Sequence, residues 1–231
     1  MSLRVLSTLA VAGAMRALLP GCEAAAGMAV SIDFAPTQGL LGRIRDGERA
    51  DAAILTAEGL DGLARQGVLD PGGRADLVRS HIGLAVRAGA PHPPIGTVNE
   101  LRTALLEAPS LVYSRSGASG IAFAALIETL SVAEAVNAKA RVIQAGFTAE
   151  PVARGEAALA VQQVSELLAV PGIEVIGRLP DEVGTVAVFG AAPFSGLPAD
   201  RAEAAGRLVR FLASREAAPA LAEAGLEPLA G

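Results

Sequence analysis

The sequence predicts an α/β protein built on a largely parallel sheet. Apolar stretches of strand length alternate with stretches that have the period of an amphipathic helix along most of the chain. The chain has 231 residues, enough for a sizeable core, and 52% of them are hydrophobic while only 3% are aromatic. Ala, Val, Leu and Ile must therefore supply most of the core. Strands that alternate with helices favour a parallel sheet with right-handed crossovers.

The elements follow one another in a regular order. The expected strands are 3–7, 28–34, 51–55, 80–87, 110–113, 140–144, 157–161, 173–177 and 184–189. The expected helices are 10–26, 38–46, 57–67, 98–108, 118–131, 148–154, 163–168, 198–213 and 215–224. Helix 118–131 starts at Ser119 and Gly120, which suit a helix entry. Helix 198–213 follows Pro198 and carries Asp200 in its first turn, where a negative charge is favourable.

The N-terminal segment has two interpretations. Arg4 is followed by an apolar run that ends at Cys22, which is the order of regions in a signal peptide. The favoured interpretation is a first strand over 3–7 and a first helix over 10–26. Pro20 sits poorly in a cleavage box, and removal of the segment would delete the first strand–helix unit.

Two stretches interrupt the alternation and divide the chain discontinuously. Residues 80–96 run from an apolar strand into a proline-stiffened loop, and residues 184–196 run from an alternating strand into a loop with Pro and Gly. We interpret both as strands that cross between lobes, near 80–87 and 184–190. One lobe is then expected to hold 1–80 plus 188–231, and the other 84–184.

Composition and motifs exclude several classes of function. The net charge of −5 and the lack of a basic stripe argue against nucleic-acid binding. The single Cys22 cannot form an intramolecular disulfide, and His81 and His92 are too few for a metal cage, so no metal site is expected. No stretch has about 20 uncharged apolar residues, so no membrane span is expected. Phosphate-loop and dinucleotide fingerprints are absent, and no cofactor is expected.

Four segments rich in small polar residues lie at predicted strand ends, where ligands bind in open α/β sheets. Helix N-termini, glycine-rich turns and hydroxyl groups can together hold an anion without a formal counter-charge. Arg79 and Arg115 could add bidentate contacts if that anion is a carboxylate. Each segment alone is typical of ordinary helix caps, but four at strand ends favour a ligand site. The candidate ligand-binding residues are Ser7, Thr8, Thr37, Gln38, Arg79, Ser114, Arg115, Ser116, Ser119, Gly120, Gln162 and Gln163.

Catalytic patterns are sparse. The sequence has neither a GxSxG elbow nor an HExxH helix motif. Glu58, Glu150 and Glu166 follow predicted strands and could act as bases, as could His81, although each is also typical of a surface, cap or core position. The catalytic residues stay unassigned from sequence.

Several segments together resemble one known family across nearly the whole chain. The chain is similar to type II periplasmic binding proteins of ABC transporters, in the branch that contains molybdate-binding proteins and aconitate isomerase-like proteins. The segments that carry the resemblance are Phe34–Leu40, Gly47–Thr56, Gly83–Pro91, Gly117–Gly120, Gly155–Gln163 and Phe211–Ala218.

The resemblance implies a two-lobed fold, with two Rossmann-like lobes that are joined by two crossing strands and close over an anion. In this chain the implied oxyanion contacts are Ser7 or Thr8, Thr37 with Gln38, Ser119 with Gly120, and Gln163. The chain has Leu6–Leu9 where molybdate binders resemble Ala-Ala-Ser-Leu. It also has Pro36-Thr37 in place of Ser-Ser, and Gln163 near a position that usually holds tyrosine. These departures favour an organic anion over molybdate.

Two functions are compatible with the resemblance. The first is a solute-binding protein that clamps a small anion, either an organic carboxylate or an oxyanion, and presents it to an ABC permease. The second is an isomerase of an unsaturated polycarboxylate that works by allylic proton transfer on the same fold. We expect a monomer, periplasmic if a signal peptide was removed and cytoplasmic if Met1 is the native start.

Overall fold

A computed structural model describes residues 2–229. Met1 and residues 230–231, which belong to the expected first lobe, lie outside the described residues. The strands are β1 (Leu3–Thr8), β2 (Val30–Ala35), β3 (Ala52–Thr56), β4 (Ala75–Arg87), β5 (Leu111–Ser114), β6 (Ala140–Ile143), β7 (Leu159–Gln163), β8 (Ile173–Arg178), β9 (Val186–Pro193) and β10 (Glu227–Pro228).

Helices fill most of the intervals between the strands. They are α1 (Ala12–Ala26), α2 (Thr37–Arg45), α3 (Ala57–Arg65), α4 (Val98–Glu107), α5 (Ala118–Thr129), α6 (Ala133–Asn137), α7 (Ala149–Ala153), α8 (Val164–Leu168), α9 (Ala199–Leu212) and α10 (Ala218–Glu223). Every strand and helix expected from the sequence is present within a few residues of its predicted position, which confirms the α/β fold class. The short α6 and β10 were not predicted.

The described residues divide into two compact units. The first contains the described residues up to Ser80 and those from Ala187 onward, and the second is His81–Val186. The chain therefore passes from one unit to the other within β4 and at the start of β9.

The first unit combines parallel strands with an antiparallel one. Strand β1 pairs in parallel with both β2 and β3, and β9 pairs with β3 in the antiparallel direction. The apolar side chains of Leu6, Leu40, Leu55, Leu60 and Phe194 belong to its buried core.

The first strand and helix are an integral part of this unit. Among the described residues, only Leu9–Ala26 forms a helical stretch long and apolar enough to cross a membrane, and 44% of that window is buried. Helix α1 packs against α9. The two helices are so close that a Cβ atom on Gly21 of α1 would lie 2.3 Å from Cζ of Phe211 of α9, so only glycine fits there without a shift. The structure contains the expected first strand and helix as β1 and α1.

The second unit has strand order β4–β7–β5–β6. Strands β5, β6 and β7 are parallel, while β4 is antiparallel to β7 and to β8. The side chains of β5 alternate, so that Leu111 and Tyr113 contribute to the core on one face and Val112 to the core on the other. The Tyr113 and Phe123 rings meet edge to face with centroids 5.3 Å apart.

Two boundaries differ from those predicted. Strand β4 begins at Ala75, earlier than predicted, because the buried Leu77 and Val78 extend the strand between the exposed Asp76 and Arg79, and this half pairs with β10. Strand β9 continues to Pro193, where a loop was expected. Its small residues Gly190, Ala191 and Ala192 pair with β3, and a Cβ atom at Gly190 would lie 2.7 Å from the Ala75 carbonyl oxygen.

Candidate functional site

In the first unit, two hydroxyl side chains meet at the carboxyl edge of the parallel strands. Thr8 ends β1, and Thr37 begins α2 directly after β2. Both threonines are buried, and their Oγ1 atoms lie 3.4 Å apart. The Ser7 hydroxyl, also buried, donates to the carbonyl of Thr8 at 3.1 Å. We call Ser7, Thr8 and Thr37 the hydroxyl cluster.

The other two candidates of this unit lie elsewhere. Gln38 is exposed in the first turn of α2, and Arg79 is exposed on β4, opposite Glu227 in the antiparallel register. No hydrogen bond in residues 2–229 joins either side chain to Thr8 or Thr37. The structure therefore does not gather these two residues with the hydroxyl cluster, and their role in ligand binding stays a prediction.

Ion pairs hold the elements that carry the hydroxyl cluster. Arg43 of α2 donates to Glu48 at 2.6 and 2.9 Å and also contacts Asp33 of β2. Arg4 of β1 contacts the same two carboxylates. Hydrogen bonds from these guanidinium groups lower the pKa of Glu48 to about 2 and lower the pKa of Asp33. The pairs tie β1, β2 and α2 together.

In the second unit, the turn after β5 forms a compact set of hydroxyl contacts. The Oγ atoms of Ser114 and Ser116 lie 2.9 Å apart, and the Ser116 N–H donates to Ser114 Oγ at 3.2 Å. The Ser116 hydroxyl also donates to the carbonyl of Gln144 at 2.6 Å. This contact ties the turn to the loop that follows β6, which was not among the sequence candidates.

Helix α5 begins in very close contact with the end of β5. Gly117 is the N-cap, so the first-turn N–H groups, including those of Ser119 and Gly120, have no acceptor within the helix. A Cβ atom at Gly120 would lie 1.3 Å from the Ser114 carbonyl oxygen. Only glycine fits there, and this contact places the positive end of the α5 dipole beside Ser114.

Arg115 extends toward its neighbours Tyr113 and Asn137. Its Nε and Nη2 atoms donate to the Tyr113 hydroxyl at 3.2 and 3.0 Å, and its guanidinium carbon lies 5.8 Å from the Tyr113 ring centroid. The Tyr113 hydroxyl donates in turn to Asn137 Oδ1 at 2.6 Å. Arg115 has no carboxylate partner among the described residues, and its predicted contact with a ligand carboxylate stays a prediction.

The two adjacent glutamines at the end of β7 have opposite environments. Gln162 Oε1 accepts from the Thr148 N–H at 2.7 Å and from the Thr148 hydroxyl at 3.0 Å, and Gln162 Nε2 donates to Gly146 at 3.3 Å. Gln163 is only 1% exposed, and it forms a capping box with Glu166 in which its side-chain oxygen faces the Glu166 N–H. Its Nε2 has no hydrogen-bond partner in the structure. Gln162 therefore fastens the loop after β6, whereas Gln163 presents a buried NH₂ group without an acceptor.

The start of α8 carries two further buried polar groups. Ser165 is buried and its hydroxyl has no partner, and Glu166 is 7% exposed. Burial raises the pKa of Glu166 to about 8, although hydrogen bonds from the Gln163 N–H and the Gln162 side chain partly oppose this effect. We call Gln163, Ser165 and Glu166 the strand-end cluster. From sequence, Glu166 was only a possible base and Ser165 was not a candidate, because the burial of a side chain cannot be deduced from a polar segment.

The described part of the chain offers no site for a metal ion. No group of three or more His, Cys, Asp or Glu residues between 2 and 229 is arranged to hold one. The donors gathered in both units are hydroxyls, amides and backbone N–H groups, which suit an anion.

Comparison with known proteins identifies the family. The sequence profile of a family described as bacterial extracellular solute-binding protein matches residues 3–227. The chain is 36% identical over 233 residues to an aconitate isomerase from Pseudomonas sp., a match that covers 99% of this chain and 88% of that protein.

Solved structures of similar fold are binding proteins. The periplasmic molybdate-binding protein of Azotobacter vinelandii superposes with a TM-score of 0.79 at 17% identity, over 97% of this chain and 98% of the other. The sulfate-binding protein SubI of Mycobacterium tuberculosis superposes with a TM-score of 0.75 at 16% identity, over 99% and 87% of the two chains. These likenesses confirm the type II periplasmic-binding-protein fold. With the family profile matched over almost its entire length, the chain belongs to the bacterial extracellular solute-binding protein family.

Proposed function

We propose that the protein binds a small polycarboxylate and isomerises it by moving its double bond, with aconitate as the representative substrate. The observation that carries the proposal is the buried Gln163 Nε2, which has no hydrogen-bond acceptor. A buried donor that makes no hydrogen bond costs about 1–3 kcal/mol, and a ligand oxygen that accepts from it would recover that cost.

The surrounding groups suit an anionic ligand. The α5 N-terminus adds free N–H groups and a partial positive charge in the same unit as Gln163. We propose that these groups hold one carboxylate of the ligand. Within the first unit, the hydroxyl cluster of Ser7, Thr8 and Thr37 is proposed to offer neutral donors to an anion. Gln38, Arg79 and Arg115 are proposed as further contacts.

The relative at 36% identity supports an organic tricarboxylate. Its name gives aconitate as the substrate, whereas the molybdate- and sulfate-binding proteins share only 17% and 16% of their residues with this chain. The proposed reaction moves one proton between the two terminal carbons of a three-carbon allyl unit. It needs an acid/base group but no oxidant and no cofactor.

A second candidate is a transport receptor for the same class of ligand. The family profile and the binding-protein fold favour it, because such proteins sequester a solute without chemistry. In that case the protein acts in the periplasm as a monomer and delivers the anion to an ABC permease.

One paired experiment separates the candidates. The purified protein is incubated with cis- and trans-aconitate and the isomers are followed by proton NMR. Thermal unfolding is measured with both isomers, with the saturated analogue propane-1,2,3-tricarboxylate, and with molybdate and sulfate. We expect interconversion of the isomers and a raised midpoint with the tricarboxylates, because a ligand that binds only the folded state stabilises it.

The other results have defined meanings. Stabilisation by tricarboxylates without turnover supports the transport receptor and excludes the isomerase. Stabilisation by molybdate or sulfate alone contradicts the choice of an organic anion.

A further inference from the structure

Only one of the acid/base candidates named from sequence is buried beside unpartnered polar groups. Glu58 of α3 and Glu150 of α7 are exposed, as expected for carboxylates in the first turn of a surface helix. His81 is partly buried and lines a separate cavity of about 210 Å³ with Asp181 and Thr185. Glu166 belongs to the strand-end cluster, next to the Gln163 amide.

The contacts of Glu166 are all with neutral donors. Its Oε2 accepts from the Gln163 N–H at 3.4 Å, and the nearby Gln162 side chain opposes part of the rise in its pKa. No salt bridge within residues 2–229 involves Glu166. Glu166 forms a capping box with Gln163 at the start of α8, which supports the helix end. One hydrogen bond from a backbone N–H offsets only part of the cost of burying a carboxylate without a cation.

Charged side chains on the neighbouring elements do not explain this carboxyl group. Helix α8 packs against β7, which has no charged residue, and against β8, which carries Glu174 and Arg178. Glu174 accepts a hydrogen bond from His92 at 2.8 Å. Neither Glu174 nor Arg178 contributes to the raised pKa of Glu166, which results from burial.

From this arrangement we infer that Glu166 is the acid/base residue that carries the proton in the isomerisation. The inference rests on the proposed isomerase function. In the forward step a Glu166 carboxylate oxygen takes a proton from the CH₂ carbon next to the double bond, and the C–H electron pair delocalises over the three-carbon allyl unit. Glu166 then returns the proton to the opposite terminal carbon, so the double bond moves by one position and all atoms are conserved.

The environment matches the requirements of such a residue. A general base is most effective when its pKa lies near the working pH, and burial places the pKa of Glu166 at about 8. The unpartnered Gln163 Nε2 and Ser165 hydroxyl lie within three residues of Glu166, where they can receive the polar groups of a ligand.

The test compares Glu166→Gln with wild type. The substitution keeps the size and hydrogen-bonding capacity of the side chain but removes the base. We expect kcat for aconitate isomerisation to fall at least about 100-fold, while Kd for propane-1,2,3-tricarboxylate, measured by calorimetry, stays within about 3-fold. Exchange of the substrate CH₂ protons with D₂O, followed by proton NMR, should be lost in the same proportion.

Two further measurements separate a chemical role from a structural one. Wild-type kcat/KM should rise as the pH increases toward about 8, because the carboxylate form is the base, and Glu166→Asp should keep part of the activity. Glu134→Gln, at an exposed carboxylate in the first turn of α6, is the matched control and should leave the rate unchanged.

Each outcome has one interpretation. Wild-type turnover with an equally active Glu166→Gln variant overturns the inference alone, as does a loss of activity in Glu150→Gln but not in Glu166→Gln. No turnover by wild type overturns the proposed isomerase function, and the inference with it.

Discussion

The hydroxyl cluster of the first unit and the strand-end cluster of the second lie at comparable positions in their sheets but are built differently. Thr8 and Thr37 are within 3.4 Å of each other, and Ser7 donates to a neighbouring carbonyl, so these hydroxyls largely satisfy one another. The Gln163 Nε2 and the Ser165 hydroxyl are buried without partners. Hydroxyl groups rotate to suit whatever acceptor is present, whereas a buried amide has a fixed arrangement of donors and acceptor.

This difference predicts which of the two clusters determines ligand specificity. The hydroxyl cluster can adapt to several anions at little cost. The strand-end cluster leaves polar groups unsatisfied in the free protein, so it gains most when a ligand of the right geometry arrives. We therefore expect the second unit to determine which ligand binds.

The largest expected effect comes from Gly120→Ala, which disrupts the second unit alone. The added Cβ would lie 1.3 Å from the Ser114 carbonyl oxygen, so the start of α5 must move. We expect the free energy of unfolding, measured by urea denaturation, to fall by about 3 kcal/mol or more, with loss of tricarboxylate binding. Gly117→Ala is the control, because a Cβ there meets no atom within 4 Å, and its stability should stay within about 0.5 kcal/mol of wild type.

The adjacent glutamines give the next largest effect, and the two variants should differ in stability. Gln162→Leu removes three hydrogen bonds and should destabilise the protein by about 2–3 kcal/mol. Gln163→Leu removes a buried NH₂ group without an acceptor and also the capping contact with the Glu166 N–H, so the free energy of unfolding without ligand should stay within about 1 kcal/mol of wild type.

Ligand affinity should separate the same two variants. For Gln163→Leu we expect tricarboxylate affinity to fall at least about 10-fold, as measured by calorimetry. If Gln163→Leu loses stability and keeps its affinity, the amide has a structural role and the comparison between the clusters is wrong.

The smallest expected effect is in the hydroxyl cluster. Thr37→Val keeps the side-chain shape and removes one hydroxyl, and we expect tricarboxylate affinity to fall only about 5-fold. Thr56→Val is the matched control at the end of β3. Its hydroxyl accepts from the Gly59 N–H at 3.3 Å and caps α3, so the variant should lose about 1 kcal/mol of stability and keep its affinity. An affinity loss above 100-fold for Thr37→Val would show that the first unit determines binding.

Much of the fold could be predicted because its strands and helices follow from local patterns in the sequence. The alternation of apolar runs with helical periods located every major strand and helix, including the first strand and helix. Strand ends were less certain. The continuation of β9 through Gly190–Pro193 depends on close packing against β3 and Ala75, which a loop-like composition conceals.

The sequence predicted which segments form the candidate site, but it did not predict the role of each residue in them. Gln162 and Gln163 were recognised as polar residues at a predicted strand end. Sequence could not distinguish Gln162, which bonds to Thr148 and Gly146, from Gln163, whose Nε2 has no partner. Thr148 lies 14 residues before Gln162 and meets it only because the loop after β6 folds back on β7.

The sequence by itself determined the α/β class, the order of elements, the family resemblance and the preference for an anion. These follow from periodicity, composition and short motifs, which act between residues close in the chain. Only the tertiary structure decided which polar side chains are buried and which of them lack partners. Those properties depend on contacts between distant segments, and they distinguish Glu166, with its pKa raised to about 8, from the exposed Glu58 and Glu150.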